Sequence, residues 1–273
     1  MNGIILAALI VGGTGLILGL FLGLADKKFK VETDEKVEMI RAELPGNNCG
    51  GCGYAGCDAV AKAIAAGEAE VSACPVGGAD TAARIAAIMG KEAKEEERMV
   101  AFVKCAGTCE KTHSNYDYYG VRDCEMMSFV PSGGPKSCNY GCLGYGSCVK
   151  ACQFDAIHVI DGIAVVDKEK CKACGKCVSR CPKHLIELVP YRAEQLVQCA
   201  SRDKGKTLMQ ACKAGCIGCK KCEKECPQQA VTVTDNVAHI DYAKCTNCGT
   251  CASVCPRKII VTIHTSASSR CFL

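Results

Sequence analysis

Cysteine spacing carries the chemistry of this chain. Cys216-x2-Cys219-x2-Cys222-x3-Cys226-Pro is followed by Cys245-x2-Cys248-x2-Cys251-x3-Cys255-Pro. Thiolate is the soft ligand that suits iron–sulfur centres and zinc. In paired runs of this kind three thiolates bind one [4Fe–4S] cluster and the fourth reaches across to its neighbour. Cys216, Cys219, Cys222 and Cys255 are therefore expected at one cluster, and Cys245, Cys248, Cys251 and Cys226 at another. Zinc ribbons use two separated CxxC pairs and need neither the third cysteine nor the trailing Cys-Pro.

The same pattern occurs earlier, displaced by 74 residues. Cys142, Cys148 and Cys152 align with Cys216, Cys222 and Cys226, and Cys171, Cys174, Cys177 and Cys181 align with Cys245, Cys248, Cys251 and Cys255. Cys138 aligns with Cys212, and Val103-Lys-Cys105-Ala matches Val197-Gln-Cys199-Ala at the longer offset of 94. The first copy thus carries about 20 extra residues, which contain Cys109 and Cys124. Cys171, Cys174, Cys177 and Cys152 make a third expected cluster. At its partner site Tyr145 occupies the slot of Cys219. Cys138 is the expected substitute there, beside Cys142, Cys148 and Cys181. Cys105, Cys109 and Cys124 are then left over. A sixth cluster needs one more thiolate than these leave. Cys199 or Cys212 could be borrowed, a non-cysteine ligand could serve, or only one cluster forms.

A separate site precedes both copies: Cys49-x2-Cys52-x4-Cys57-x16-Cys74-Pro, set among Gly50, Gly51, Gly53 and Gly56. Glycines let the backbone fold tightly round a bulky group. One [4Fe–4S] cluster is expected, with zinc as the rival. The expected total is five clusters, with a sixth open.

The rest of the sequence positions these ligands. The chain has 273 residues, of which 26 are cysteine, and no tryptophan. Without cysteine the apolar share falls to about 40%, which is thin for a packed core of this length. Net charge is +4, with lysines scattered between the cysteine runs, so no nucleic-acid footprint appears. Helices are predicted from Thr33 to Leu44, capped by Thr33 or Asp34, from Asp58 to Ala66, and from Ala79 to about Val100, with the charged Lys91–Arg98 as a solvated linker. Asp161-Gly162 and Asp235-Asn236 sit between apolar pairs and predict hairpins. Short helices are predicted between the third and fourth cysteines of each run. The five histidines read as structural.

Ile4 to Ala25 carries no charge, long enough for one bilayer span. Lys27, Lys28 and Lys30 follow, which places the remainder in the cytoplasm, where disulfides are rare. Gly15, Gly19 and Gly23 share one helix face and would admit a neighbouring membrane helix. The fold class is α+β: a transmembrane anchor (1–30), a small helical Fe–S domain with linker (31–101), two tandem bacterial 2[4Fe–4S] ferredoxin-like modules (102–192 and 193–265), and a tail (266–273) holding the incidental Cys271.

An apolar N-terminal helix, then Cys49-Gly-Gly-Cys52-Gly-Tyr-Ala-Gly-Cys57, then ferredoxin modules closely resembles the B subunit of the Rnf complex, in its longer form. The resemblance covers the chain up to about Thr265. It implies an electron-transfer subunit of a membrane-bound ferredoxin:NAD⁺ oxidoreductase that couples electron flow to sodium or proton export. It implies soluble ferredoxin as donor, the other Rnf membrane subunits as partners through the N-terminal helix, and a single-pass place in the cell membrane with its clusters on the cytoplasmic side. NAD and flavin belong to other subunits of such a complex.

Produced anaerobically from Lys30 onward, the protein is expected to carry about 20 irons or more, with matching acid-labile sulfide. Zinc in place of iron contradicts the cluster reading.

Overall fold

The computed structural model describes residues 2–28, 34–92 and 97–263. It opens with helix α1, Asn2–Lys28. Leu9, Leu16, Phe21 and Leu24 on this helix are exposed. Among the described residues no helix is long and apolar enough to cross a membrane, so the expected span is not shown.

Three helices follow. Asp34 caps α2, Glu35–Glu43, by accepting the Lys36 N–H at 3.0 Å. Thr33, the other expected cap, lies outside the described residues. Helix α3 spans Cys57–Ala66 and α4 spans Gly78–Met89. Ile40, Leu44, Val60, Ile64 and Ile85 close the core between them. Arg41 pairs with Asp58 and Arg84 with Glu43 across its rim.

Helix α4 stops earlier than its sequence suggests. Gly90 adopts a left-handed φ of +63°, and the Lys91 N–H reaches back to the Ala86 carbonyl at 3.0 Å. This closes the helix end. Val100 is not helical. It lies in strand β1, Met99–Val103.

After β1 a long irregular segment contains two short 3-10 turns, Met126–Phe129 and Pro131–Gly133. Then come α5 (Ser147–Ala151), β2 (Ile157–Ile160), β3 (Ile163–Val166), α6 (Lys176–Ser179) and β4 (Ile186–Pro190). The second copy holds β5 (Gln195–Val197), α7 (Gly205–Ala211), α8 (Lys221–Lys224), β6 (Val231–Thr234), β7 (Val237–Ile240), α9 (Thr250–Ser253) and β8 (Ile260–Thr262). Each copy has an antiparallel hairpin, β2–β3 or β6–β7, and an antiparallel outer pair, β1–β4 or β5–β8. Both hairpins turn where the sequence predicts: Ile160 faces Ile163 and Thr234 faces Val237. The 74-residue offset recurs in α5/α8, β2/β6, β3/β7, α6/α9 and β4/β8.

No local pattern signals the outer pairs. They matter because they bring the chain ends of each copy together. Phe102 pairs with Glu187 and Val103 with Ile186. Val100, Leu185 and Val189 are buried in the first core, and Val231, Ile259 and Ile260 in the second.

Candidate iron–sulfur centres

In the second copy the short helices α8 and α9 carry Cys222 and Cys251 inward, both buried. A cavity of about 340 Å³ is lined by Cys216, Cys219, Cys222 and Cys255. Another of about 300 Å³ is lined by Cys226, Cys245, Cys248 and Cys251. The fourth cysteine of each run has crossed to its neighbour's cavity, the grouping read from the spacing. Burial pushes the Cys222 and Cys251 thiols up to about 11. Cys248 is exposed, and its thiol is held below the usual value chiefly by the Thr250 hydroxyl.

In the first copy a cavity of about 360 Å³ is lined by Cys152, Cys171, Cys174 and Cys177. The partner cavity, about 420 Å³, holds Cys142, Cys148 and Cys181, and its fourth cysteine is Cys124. The irregular segment folds back to deliver it. The Cys124 N–H donates to Ser147 Oγ at 3.0 Å, Arg180 pairs with Glu125 at 2.8 Å, and Lys150 lies 3.7 Å from Asp123. Cys124 thus fills the vacancy that Tyr145 leaves. Cys138, the expected substitute, turns its side chain to a different cavity, shared with Cys105, Cys199 and Cys212. No spacing rule could assign Cys124, because an irregular loop sets no fixed distance. Burial drives the Cys148 and Cys177 thiols to about 12.

In the helical domain, Cys57 begins α3 and its N–H is held by Asn48 Oδ1 at 2.8 Å. Burial raises the Cys74 thiol, and the nearby Cys52 and Cys57 add to the effect. Cys49 lies close enough to Cys174 of the first copy to affect its thiol. Gly51 sits between the two domains. A Cβ there would stand 2.8 Å from the Cys174 carbonyl oxygen, so only glycine allows this docking.

Cys109 is exposed and lines none of these cavities. Its sulfur covers Gly162, 2.5 Å from where a Cβ would stand. Cys271 lies outside the described residues. No described cysteine forms a disulfide. Among the described residues no three His, Cys, Asp or Glu side chains converge on one ion position. The thiols instead ring cavities, with backbone N–H groups aimed at sulfur. Ala101 donates to Cys171 at 3.3 Å, Leu185 to Cys181 at 3.4 Å, and Ala230 to Cys226 at 3.3 Å. Soft ligands, four to a cavity and supported by N–H donors, fit [4Fe–4S] clusters.

Three family models match the chain: "Putative Fe-S cluster" over residues 44–76, "4Fe-4S binding domain" over 164–187, and "4Fe-4S dicluster domain" over 215–259. The chain is 49% identical to the B subunit of the Na(+)-translocating ferredoxin:NAD(+) oxidoreductase complex of Acetobacterium woodii, over 90% of this chain and 74% of that one. It is 43% identical to the B subunit of the ion-translocating oxidoreductase complex of Methanosarcina acetivorans, over 87% and 90% respectively. It is 39% identical to the B subunit of the proton-translocating ferredoxin:NAD(+) oxidoreductase complex of Clostridium ljungdahlii, over 90% and 87%. The chain belongs to this family of Rnf complex B subunits.

The residue before each short cysteine-bearing helix is left-handed: Gly146, Gly175, Lys220 and Gly249, with φ of +76°, +74°, +58° and +77°. Lysine adopts that conformation at a cost of about 1–2 kcal/mol. Lys220→Gly is therefore expected to stabilise the holo-protein by about 1 kcal/mol in anaerobic denaturant unfolding. Gly144→Ala is expected to do the reverse and by more, because its Cβ would meet the Gly162 carbonyl oxygen at 2.5 Å.

Proposed function

We propose, from membership of this family, that the chain is the electron-relay subunit of a membrane-bound ferredoxin:NAD⁺ oxidoreductase coupled to sodium or proton translocation. The sorting of the cysteines carries this reading. Four cavities in two ferredoxin-like modules are each ringed by four cysteines. We assign them Cys216/Cys219/Cys222/Cys255, Cys226/Cys245/Cys248/Cys251, Cys152/Cys171/Cys174/Cys177 and Cys124/Cys142/Cys148/Cys181, with Cys49/Cys52/Cys57/Cys74 as the fifth set. Each [4Fe–4S] cluster, when bound, takes up and gives up one electron at a time at a potential its surroundings tune.

The protein's own residues set the order. Gly51 lets the helical domain dock on the Cys174 loop, next to the Cys152/Cys171/Cys174/Cys177 set. Helix α5, with Cys148, packs against α6, with Cys177, so the two sets of the first module adjoin. In the second module α8 and α9 adjoin in the same way. This module exposes Cys219 and Cys248, and exposed Lys220, Lys221 and Lys224 follow Cys219 in sequence. This is the surface we assign to the reduced ferredoxin donor. The helical domain, nearest the N-terminal helix in sequence, is the exit toward the membrane partners.

We assign α1 as the anchor. The sequence supports this reading: the run Ile4–Ala25 carries no charge, and a single bilayer span needs about 20 apolar residues. Lys27 and Lys28 at its end favour a cytoplasmic position for the cluster domains.

Anaerobic mixing with reduced ferredoxin is expected to produce reduced-cluster EPR signals in the chain at the expense of the donor. Unreducible iron contradicts the relay. Cys124→Ala is expected to remove about four irons or leave a three-iron centre, whereas Tyr145→Phe removes none. Unchanged iron in Cys124→Ala contradicts the assignment of that ligand.

A further inference from the structure

Four cysteines outside the two sets of each ferredoxin run converge where the modules meet. Cys105 follows β1 and Cys138 ends the irregular segment of the first module. Cys199 follows β5 and Cys212 follows α7 in the second. All four line one cavity of about 350 Å³. All four are buried, with 6–8% of their surface exposed.

The two halves of this site are copies of each other. Cys105 corresponds to Cys199 and Cys138 to Cys212 in the repeat. Their hydrogen bonds correspond too. The Gly107 N–H donates to Cys105 Sγ at 3.4 Å, as the Ser201 N–H does to Cys199 Sγ at 3.5 Å. The Cys142 N–H donates to Cys105 Sγ and the Cys216 N–H to Cys199 Sγ, both at 3.4 Å. Ala214 donates to Cys212 Sγ at 3.4 Å. Backbone donors on sulfur stabilise thiolate charge, and the ferredoxin cysteines Cys171, Cys181 and Cys226 use the same device.

Other contacts pin the halves together. The Ala106 N–H donates to the Gln198 carbonyl at 3.1 Å, and Thr112 Oγ1 donates to the Ala211 carbonyl at 2.9 Å. Lys136 Nζ donates to the Gly107 and Cys142 carbonyls at 2.9 and 2.7 Å, which places a positive charge at the cavity. Arg257 does the same from the other module, donating to the Cys212 and Gly215 carbonyls at 3.3 Å. Cationic groups here offset the negative charge of a thiolate-bound centre.

We propose that Cys105, Cys138, Cys199 and Cys212 hold a sixth [4Fe–4S] cluster, two ligands from each module, at their junction. Its neighbours on either side are the sets that contain Cys142 and Cys216, whose backbone N–H groups already touch its sulfurs. Within the relay reading on which this role rests, the site joins two modules that otherwise adjoin only through protein.

The test uses the full chain, made anaerobically, with native mass spectrometry and iron and sulfide counts. Six clusters, about 24 irons, are expected in the unaltered protein. The double variant Cys199→Ala/Cys212→Ala is expected to lose about four of them, and Cys109→Ser none. In freeze-quench EPR, reduction by ferredoxin is expected to stop in the second module of the double variant, while small chemical reductants still reach the remaining clusters. Should the double variant fail to fold, the unaltered protein decides alone. Five clusters with these four thiols free, or zinc at this site, overturns the proposal and leaves the five-cluster relay standing. No reducible iron anywhere overturns the relay reading itself.

Discussion

Sulfur–iron ligation is the constraint on which the rest of this molecule depends. The ferredoxin-like modules are built from strands of three to five residues, paired only in twos. Sheets of that size are marginal in water. Helices of four and five residues are too short to stand alone. What holds them is the thing they surround. Burial drives the thiols of Cys148 and Cys177 to about 12, and those of Cys199, Cys222 and Cys251 to about 11. At neutral pH such thiols are protonated unless metal replaces the proton. A thiolate ligand set forms only as the centre binds, so the free energy of binding is largely free energy of folding.

The same constraint explains the backbone. To wrap four sulfurs round a bulky group, the chain must reverse within a few residues. It does so through left-handed residues before each short helix and through Gly144 and Gly218, which pass close to the opposite hairpin turns at Gly162 and Asn236. The repeat reproduces this arrangement in both modules. Duplication also created a junction, where the copies of one cysteine pair face each other across a buried cavity. Structure and relay thus have a common origin: each group of thiols that closes a core also forms the next site in line.

Much of this is legible in the sequence because cluster ligands obey short-range rules. The two runs in the second module and the set Cys152/Cys171/Cys174/Cys177 group as their spacing requires. Asp161-Gly162 and Asp235-Asn236 mark the hairpins. What spacing does not reach is long-range. Cys124 arrives at its cavity through an irregular loop held by Ser147 and Arg180, contacts that no periodicity encodes. Spacing groups Cys138 with its sequence neighbours, yet it joins Cys199 and Cys212 from the other module. The predicted helix through Val100 overruns because Gly90 is a stop signal, and because β1 draws its stability from pairing with β4, about 90 residues later.

The most direct test of this account follows iron and fold together. Iron is stripped stepwise from the anaerobic protein while bound iron and backbone hydrogen exchange are read on the same samples. The account predicts that protection of β1–β8 and of helices α2 and α3 collapses in proportion to the iron lost. Strands and helices that stay protected after the iron has gone would contradict it, because the thiols would then decorate a fold that stands without them.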